Sequence, residues 1–144
     1  MSTELLKVKD LKQHFPLHGG ILFREIGRVF AVDGVSVSVE KGETLGLVGE
    51  SGCGKTTLGR SMIRLYRPTA GEIIFDGLDI TRLRQKELRG LRREMQMIFQ
   101  DPFESLNSRH TVGEILEEPF LIHKIGTRQE RQRSVAELLE RVGL

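Results

Sequence analysis

Val35, Val37 and Val39 alternate with Ser36, Ser38 and Glu40. A period of two carried by β-branched residues predicts a half-buried strand. Upstream, residues 5–11 have mixed polarity and predict a short edge strand. Residues 16–28 hold three glycines and a proline and read as a loop. Residues 44–48 are apolar after the first position, which suits a strand buried on both faces, as in a parallel sheet. A glycine-rich loop follows at 49–54. Apolar residues then fall at Leu58, Met62, Ile63, Leu65 and Tyr66, predicting a helix over 55–66 that stops at Arg67-Pro68-Thr69-Ala70-Gly71. Residues 72–75 predict a strand closed by Asp76-Gly77. Residues 82–93 predict a charged, exposed helix. Residues 96–99 read as a strand broken by Gln100-Asp101-Pro102.

Two helix starts are marked by capping boxes, Thr111 with Glu114 and Thr127 with Glu130. The last helix carries Val135, Leu138, Leu139 and Val142 as one apolar stripe, and Gly143 stands where a C-terminal cap belongs. The chain is therefore expected to stop at a helix end and not in a tail. There is no internal repeat and no low-complexity tract.

Composition narrows the class. Of 144 residues, 38% are hydrophobic and 29% charged, the profile of a globular domain. The 22 basic and 20 acidic residues leave a net charge of +2, too little to imply nucleic-acid binding. The single cysteine, Cys53, rules out an internal disulfide and suits a reducing compartment. No apolar run approaches the ~20 residues needed to span a bilayer. The N-terminus lacks the basic and apolar regions of a secretory signal. A cytoplasmic location is expected.

The strongest chemical signal is Gly49-Glu50-Ser51-Gly52-Cys53-Gly54-Lys55-Thr56, which matches G-x-x-x-x-G-K-[ST] at every position. It lies between a buried-type strand and an amphipathic helix, the setting such a loop requires. Glycines let the backbone turn tightly so that successive N–H groups face phosphate oxygens. The helix adds the positive end of its dipole. Lys55 is expected to reach the β- and γ-phosphates, Thr56 to coordinate Mg²⁺, and Thr57 to add a hydroxyl at the α-phosphate. The competing reading is a glycine-rich turn that binds nothing. Cys53 occupies a variable position of the loop. It either faces solvent or packs, or it is made reactive by the helix N-terminus, in which case nucleotide would shield it.

With these residues the chain resembles the ATP-binding subunits of ABC transporters. The resemblance rests on Ala31-Val32-Asp33-Gly34-Val35-Ser36, on residues 42–55, and on Met97-Ile98-Phe99-Gln100-Asp101-Pro102. Leu11-Lys12-Gln13-His14-Phe15-Pro16, Ser105-Leu106-Asn107 and Thr111-Val112-Gly113-Glu114 resemble the oligopeptide/dipeptide importer branch, most closely the second of its two paired ATPase subunits. The resemblance covers essentially the whole chain. It implies an α/β P-loop fold, incomplete, with an antiparallel β part and the start of a helical subdomain. Residues 1–99 would form the β part and phosphate-loop core, and residues 100–144 the glutamine loop and the beginning of the helical subdomain.

The resemblance also implies roles. Phe15 matches the aromatic that stacks on adenine, with packing as its plain alternative. Gln100 matches the glutamine that touches Mg²⁺ and helps place the attacking water. Gly49, Glu50, Ser51, Gly52, Cys53, Gly54, Lys55, Thr56 and Thr57 would surround the phosphates of ATP. Phe103, Leu106 and Phe120 are candidates either for contact with a permease helix or for core packing. The implied partners are transmembrane permease subunits, a second ATP-binding subunit and, indirectly, a solute-binding protein, but no nucleic acid. The implied place is the cytoplasmic face of the cell membrane, peripherally bound. Ser108 stands where this branch is expected to carry proline.

Several family motifs are missing. Ile73-Ile74-Phe75-Asp76 is followed by Gly77 and not by glutamate, and it precedes Gln100. There is no Leu-Ser-Gly-Gly-Gln signature and no downstream switch histidine. His14 and His18 flank Pro16, which disfavours a helical metal pair, and His110 and His123 read as surface residues. The chain thus resembles the N-terminal half of a nucleotide-binding domain, a shortened reading frame or a fragment, with little or no ATPase activity alone. Open sheet edges would make it prone to aggregate. Two alternatives stand beside this: a non-hydrolysing nucleotide binder, and an ABC-type ATPase acting on nucleic acid. The basic positions Arg82, Arg84, Lys86, Arg89, Arg92 and Arg93 read as a solvated helix face, and Ile21-Leu22-Phe23 as an apolar loop contacting a partner or its own domain.

Overall fold

The computed structural model describes residues 4–20, 24–99 and 106–144. Gln100, Phe103 and the loop Ile21-Leu22-Phe23 lie outside the described residues. The chain divides into two compact units, Met1–Gln96 and Met97–Leu144.

The first unit contains β1 (Glu4–Gly19), β2 (Arg24–Glu40), α1 (Lys55–Met62), β3 (Ala70–Phe75), β4 (Leu78–Asp79) and α2 (Gln85–Leu91). Its sheet has the order β2-β1-β3-β4, and every pairing is antiparallel. The expected edge strand at 5–11 is therefore an interior strand, flanked by β2 and β3. A bulge explains its mixed polarity. Asp10 takes φ 45, and the register slips between Val8 and Leu11. The extra residue restores the alternation, so Val8 and Leu11, three apart, both face the core. The Ser36 hydroxyl accepts the Asp10 amide at 2.9 Å, which satisfies the bulged backbone. Gly71 approaches the same bulge so closely that a Cβ there would lie 2.5 Å from the Asp10 carbonyl oxygen.

The expected loop at 16–28 is mostly strand. β1 and β2 stay paired out to Gly19 and Arg24, beyond the last β3 contact at Lys12. Past that point the ribbon has only two strands, so Pro16 interrupts no three-stranded ladder. The alternation at 35–40 is as the pattern predicts: the valines are half-buried and the intervening residues exposed.

Residues 44–48 and 96–99 are not strands. Val48 is 99% and Ile98 96% exposed. A parallel strand needs at least one partner strand to pair its backbone, and no parallel pair occurs among the described residues.

The core gathers Val8, Leu11 and Val32 from β1 and β2, Ile73 and Phe75 from β3, Leu58 and Met62 from α1, with Ile80, Leu88 and Met95. α1 ends at Met62 and not at residue 66, because Arg64 turns to φ 58. Arg64 is 2% exposed and pairs with carbonyls: it donates to Ile80 O (2.9 Å), Leu83 O (3.0 Å) and Tyr66 O (3.3 Å). Burial, then nearby Arg67 and Arg92, pushes its pKa down from the usual arginine range. Arg92 is not simply solvated. It donates to the carbonyls of Ile63 and Arg64 (the latter at 2.8 Å), where α1 ends. Arg64→Leu strands three carbonyls, so unfolding free energy should fall by about 2–3 kcal/mol, read from the urea midpoint. An unchanged midpoint would mean that water replaces the guanidinium.

The second unit contains α3 (Val112–Ile122) and α4 (Arg128–Arg141). Both capping boxes form: Thr111 N donates to Glu114 at 2.7 Å and Thr127 N to Glu130 at 2.6 Å, and each threonine hydroxyl accepts the glutamate's amide. Gly143 has φ 81 just past the end of α4, in the place expected of it. Arg131 of α4 reaches Glu117 of α3 at 2.9 Å. The apolar stripe of α4 is covered only in part, with Val135 buried but Val142 71% exposed. Backbone bonds from Thr111 and Thr127 hold the Glu114 and Glu130 carboxyls below their ordinary 4.5. These groups stabilise the folded unit fully above 4.5, and the contribution disappears as pH falls through their lowered values. Acid titration should fray α3 and α4 from their N-termini, and Glu114→Gln should flatten that pH dependence in far-UV dichroism.

Candidate functional site

The phosphate-loop motif forms the connection into α1. Gly54 is the N-cap, with φ 95 and no side chain to cap the helix. The first turn of amides is left to an external acceptor. Two constraints make glycine necessary here. The backbone is left-handed, and a Cβ would lie 2.2 Å from the Ala31 carbonyl oxygen. Gly49 is confined differently, since a Cβ there would meet the Cys53 sulfur at 2.7 Å. Gly52 needs only its φ of 83. The loop closes on itself through Cys53 N to Glu50 O at 3.3 Å, and the helix begins with Leu58 N to Gly54 O at 2.8 Å.

Lys55 folds back over this loop. Its ammonium donates to Gly49 O at 2.7 Å and Glu50 O at 2.6 Å, and lies 3.4 Å from the Cys53 sulfur. The charge is thus held at the loop and not released to solvent. Beside it is a cavity of about 270 Å³, whose lining includes Ala31, Asp33, Val48, Cys53, Gly54 and Lys55. Asp33 is a rim carboxylate. His14 Nε2 at 3.1 Å, and then Lys12, hold its pKa down.

The other expected site residues fall as follows. Glu50, Ser51 and Thr56 are exposed, and Thr57 is half-buried with its carbonyl accepting Ser61 Oγ at 2.8 Å. Phe15 is half-buried and meets Tyr66 edge to face, with centroids 5.4 Å apart and planes at 84°. It is not among the cavity-lining residues. Sequence reasoning missed Asp33, Tyr66 and the Ala31 carbonyl. Tyr66 carried one usable signal, as the only tyrosine in the chain.

The loop fits a nucleotide phosphate chain: a cation folded onto the loop, an uncapped helix start and a glycine packed against backbone. For Mg²⁺, no group of three His, Cys, Asp or Glu side chains is placed to hold a metal among the described residues. Thr56, exposed next to Lys55 in the first turn of α1, offers a hydroxyl oxygen, the hard donor type that magnesium would take.

Residues 32–144 match the family model described as ABC transporter. This chain belongs to the ABC transporter family. It is 55% identical over 141 residues to the oligopeptide transport ATP-binding protein AppF of Bacillus subtilis, covering 97% of this chain and 43% of the relative. It is 53% identical to OppF of the same organism, over 100% of this chain and 46% of the relative. The chain thus spans less than half the length of these curated relatives. Among solved structures it resembles the dimeric post-hydrolysis state of the ATP-binding cassette MJ0796 bound to ADP and Pi. That match has a TM-score of 0.78 at 25% identity and covers 94% of this chain and 56% of the other. The cbiO1 component of the cbiONQ transporter complex from Clostridium perfringens matches with a TM-score of 0.68 at 25% identity, over 99% and 52%. The fold is accordingly part of an ABC ATPase cassette. Among the described residues no helix is long and apolar enough to cross a membrane.

Proposed function

We propose that this chain grips ATP–Mg²⁺ as the phosphate-binding portion of an ATP-binding subunit, and that the longer protein powers import of peptides or related solutes through a membrane permease. The carrying observation is the backbone contact of Gly54 with Ala31, next to the Lys55 ammonium folded onto Gly49 and Glu50. The names of the curated relatives support the transport part of the reading.

In this reading the amides of residues 49–57 and the α1 N-terminus hold the phosphates. Lys55 exchanges its carbonyl partners for phosphate oxygens. Thr56 and Gln100 would hold the magnesium, which when bound neutralises phosphate charge. Phe15 packs on the base, and Thr57 lies near the α-phosphate. Residues 1–99 act as the nucleotide core and residues 100–144 as the glutamine loop and start of the helical subdomain. The partners are permease subunits, a second ATP-binding subunit and, through the permease, a solute-binding protein, all at the cytoplasmic face of the membrane.

Lys55 and Gln100 are the residues assigned to the chemistry. Phosphoryl transfer also needs a group that activates water, and none is assigned among these residues. Phosphate release by this chain alone should stay at background. Calorimetric titration of ATP–Mg²⁺ tests the binding itself: saturable heat is expected, and its absence from a folded chain would overturn the reading.

A further inference from the structure

We infer that Tyr66 positions the Phe15 ring for a nucleotide base, so that α1 organises the site at both ends. The inference rests on the nucleotide reading above. Lys55 opens α1 at the phosphate loop, and Arg60 lies in its last turn. Arg60 donates to the Tyr66 hydroxyl at 2.9 Å, and its guanidinium carbon lies 5.8 Å from the centre of the tyrosine ring. Tyr66 in turn meets Phe15 nearly perpendicularly.

The segment after α1 is also tied to β1 just before Phe15, through Thr69. Thr69 N donates to Lys12 O at 2.8 Å, and the Thr69 hydroxyl accepts His14 N at 3.0 Å. Tyr66 therefore has little freedom to leave Phe15. A perpendicular neighbour covers at most one face of the Phe15 ring, and the ring, only half-buried, keeps surface exposed for offset stacking.

The location agrees. Phe15 pairs with Val29 on β2, two residues from Ala31, where Gly54 touches the strand. At about 3.3 Å per residue, ~7 Å of strand separates the ring's register from the loop contact. A base on Phe15 and phosphates on residues 49–57 thus belong to neighbouring parts of one surface.

The test uses one Tyr66 probe and two ligands. The chain has a single tyrosine, so 3-fluorotyrosine gives a single ¹⁹F resonance. ATP–Mg²⁺ should shift it through the ring current of the base, whereas magnesium tripolyphosphate, which has no base, should not. Tyr66→Leu should weaken ATP–Mg²⁺ binding about two- to tenfold, the range expected for an edge-to-face pair, and leave tripolyphosphate binding unchanged. Tyr66→Phe keeps the ring and should restore most of the affinity. Equal ¹⁹F shifts with both ligands, or equal weakening of both by Tyr66→Leu, would overturn the role of Tyr66 while leaving the phosphate-loop reading intact. Failure of the unmutated chain to bind either ligand would overturn both. If the leucine variant does not fold, the ¹⁹F comparison on the otherwise unmutated chain decides alone.

Discussion

Lys55→Ala should weaken ATP–Mg²⁺ binding by about 100-fold or more, ~3 kcal/mol, a loss of the size expected when charge-assisted hydrogen bonds to an anion are removed. The melting temperature should barely move. Both carbonyls that Lys55 engages belong to exposed loop residues, Gly49 and Glu50, and water can replace the ammonium there. The separation of the two effects is what gives the variant its value. A large loss of binding at constant stability assigns the ammonium to the phosphates. A matching loss of stability would instead mean that Lys55 closes the loop structurally and that the ligand senses only the collapse. Calorimetry and a thermal melt on the same preparation distinguish the two.

Gly54→Ala should be more damaging, since it attacks fold and site together. At φ 95 a non-glycine residue is strained by about 1–2 kcal/mol. The added Cβ would also stand 2.2 Å from the Ala31 carbonyl oxygen, a backbone atom of β2 with no rotamer to yield. Relief requires α1 to move away from β2, which loosens the shared core that contains Leu58 and Val32. We expect a total destabilisation of about 2–4 kcal/mol and loss of ATP–Mg²⁺ binding. Gly52→Ala is the matched control. It carries a similar φ of 83 but meets nothing within 4 Å, so only the backbone strain of about 1–2 kcal/mol applies. Equal urea midpoints for the two variants would show that the approach to Ala31 is not a constraint.

The features legible in the sequence are those whose cause lies within a few residues. Thr111 with Glu114 and Thr127 with Glu130 each satisfy their own helix start, so three-residue spacing is enough to find them. The turn into α1 needs glycine at 54 and lysine at 55, and both belong to one contiguous motif. The valine alternation at 35–39 survives because the period of a strand is local. Even so, α1 ended four residues early, since the stop is Arg64, whose burial depends on carbonyls at Ile80 and Leu83.

The tertiary structure decided the rest, because strand pairing and side-chain burial join residues far apart in the chain. Residues 5–11 read as an edge strand, yet β1 lies between β2 and β3, and its bulge at Asp10 is held by Ser36 and Gly71. Residues 16–28 read as a loop because glycine and proline punctuate them, yet pairing across the ribbon outweighs those local preferences. Residues 44–48 have the composition of a buried strand, but composition supplies only the propensity to be covered, and covering requires a partner strand. Phe15 and Tyr66 are 51 positions apart and meet where Thr69 is bonded to Lys12 and His14. Sequence alone determined the family, the phosphate loop and the helix starts, whose interactions are local. Only the folded chain placed the aromatic pair, the buried arginine and the interior strand, whose energies depend on contacts that no short window of sequence contains.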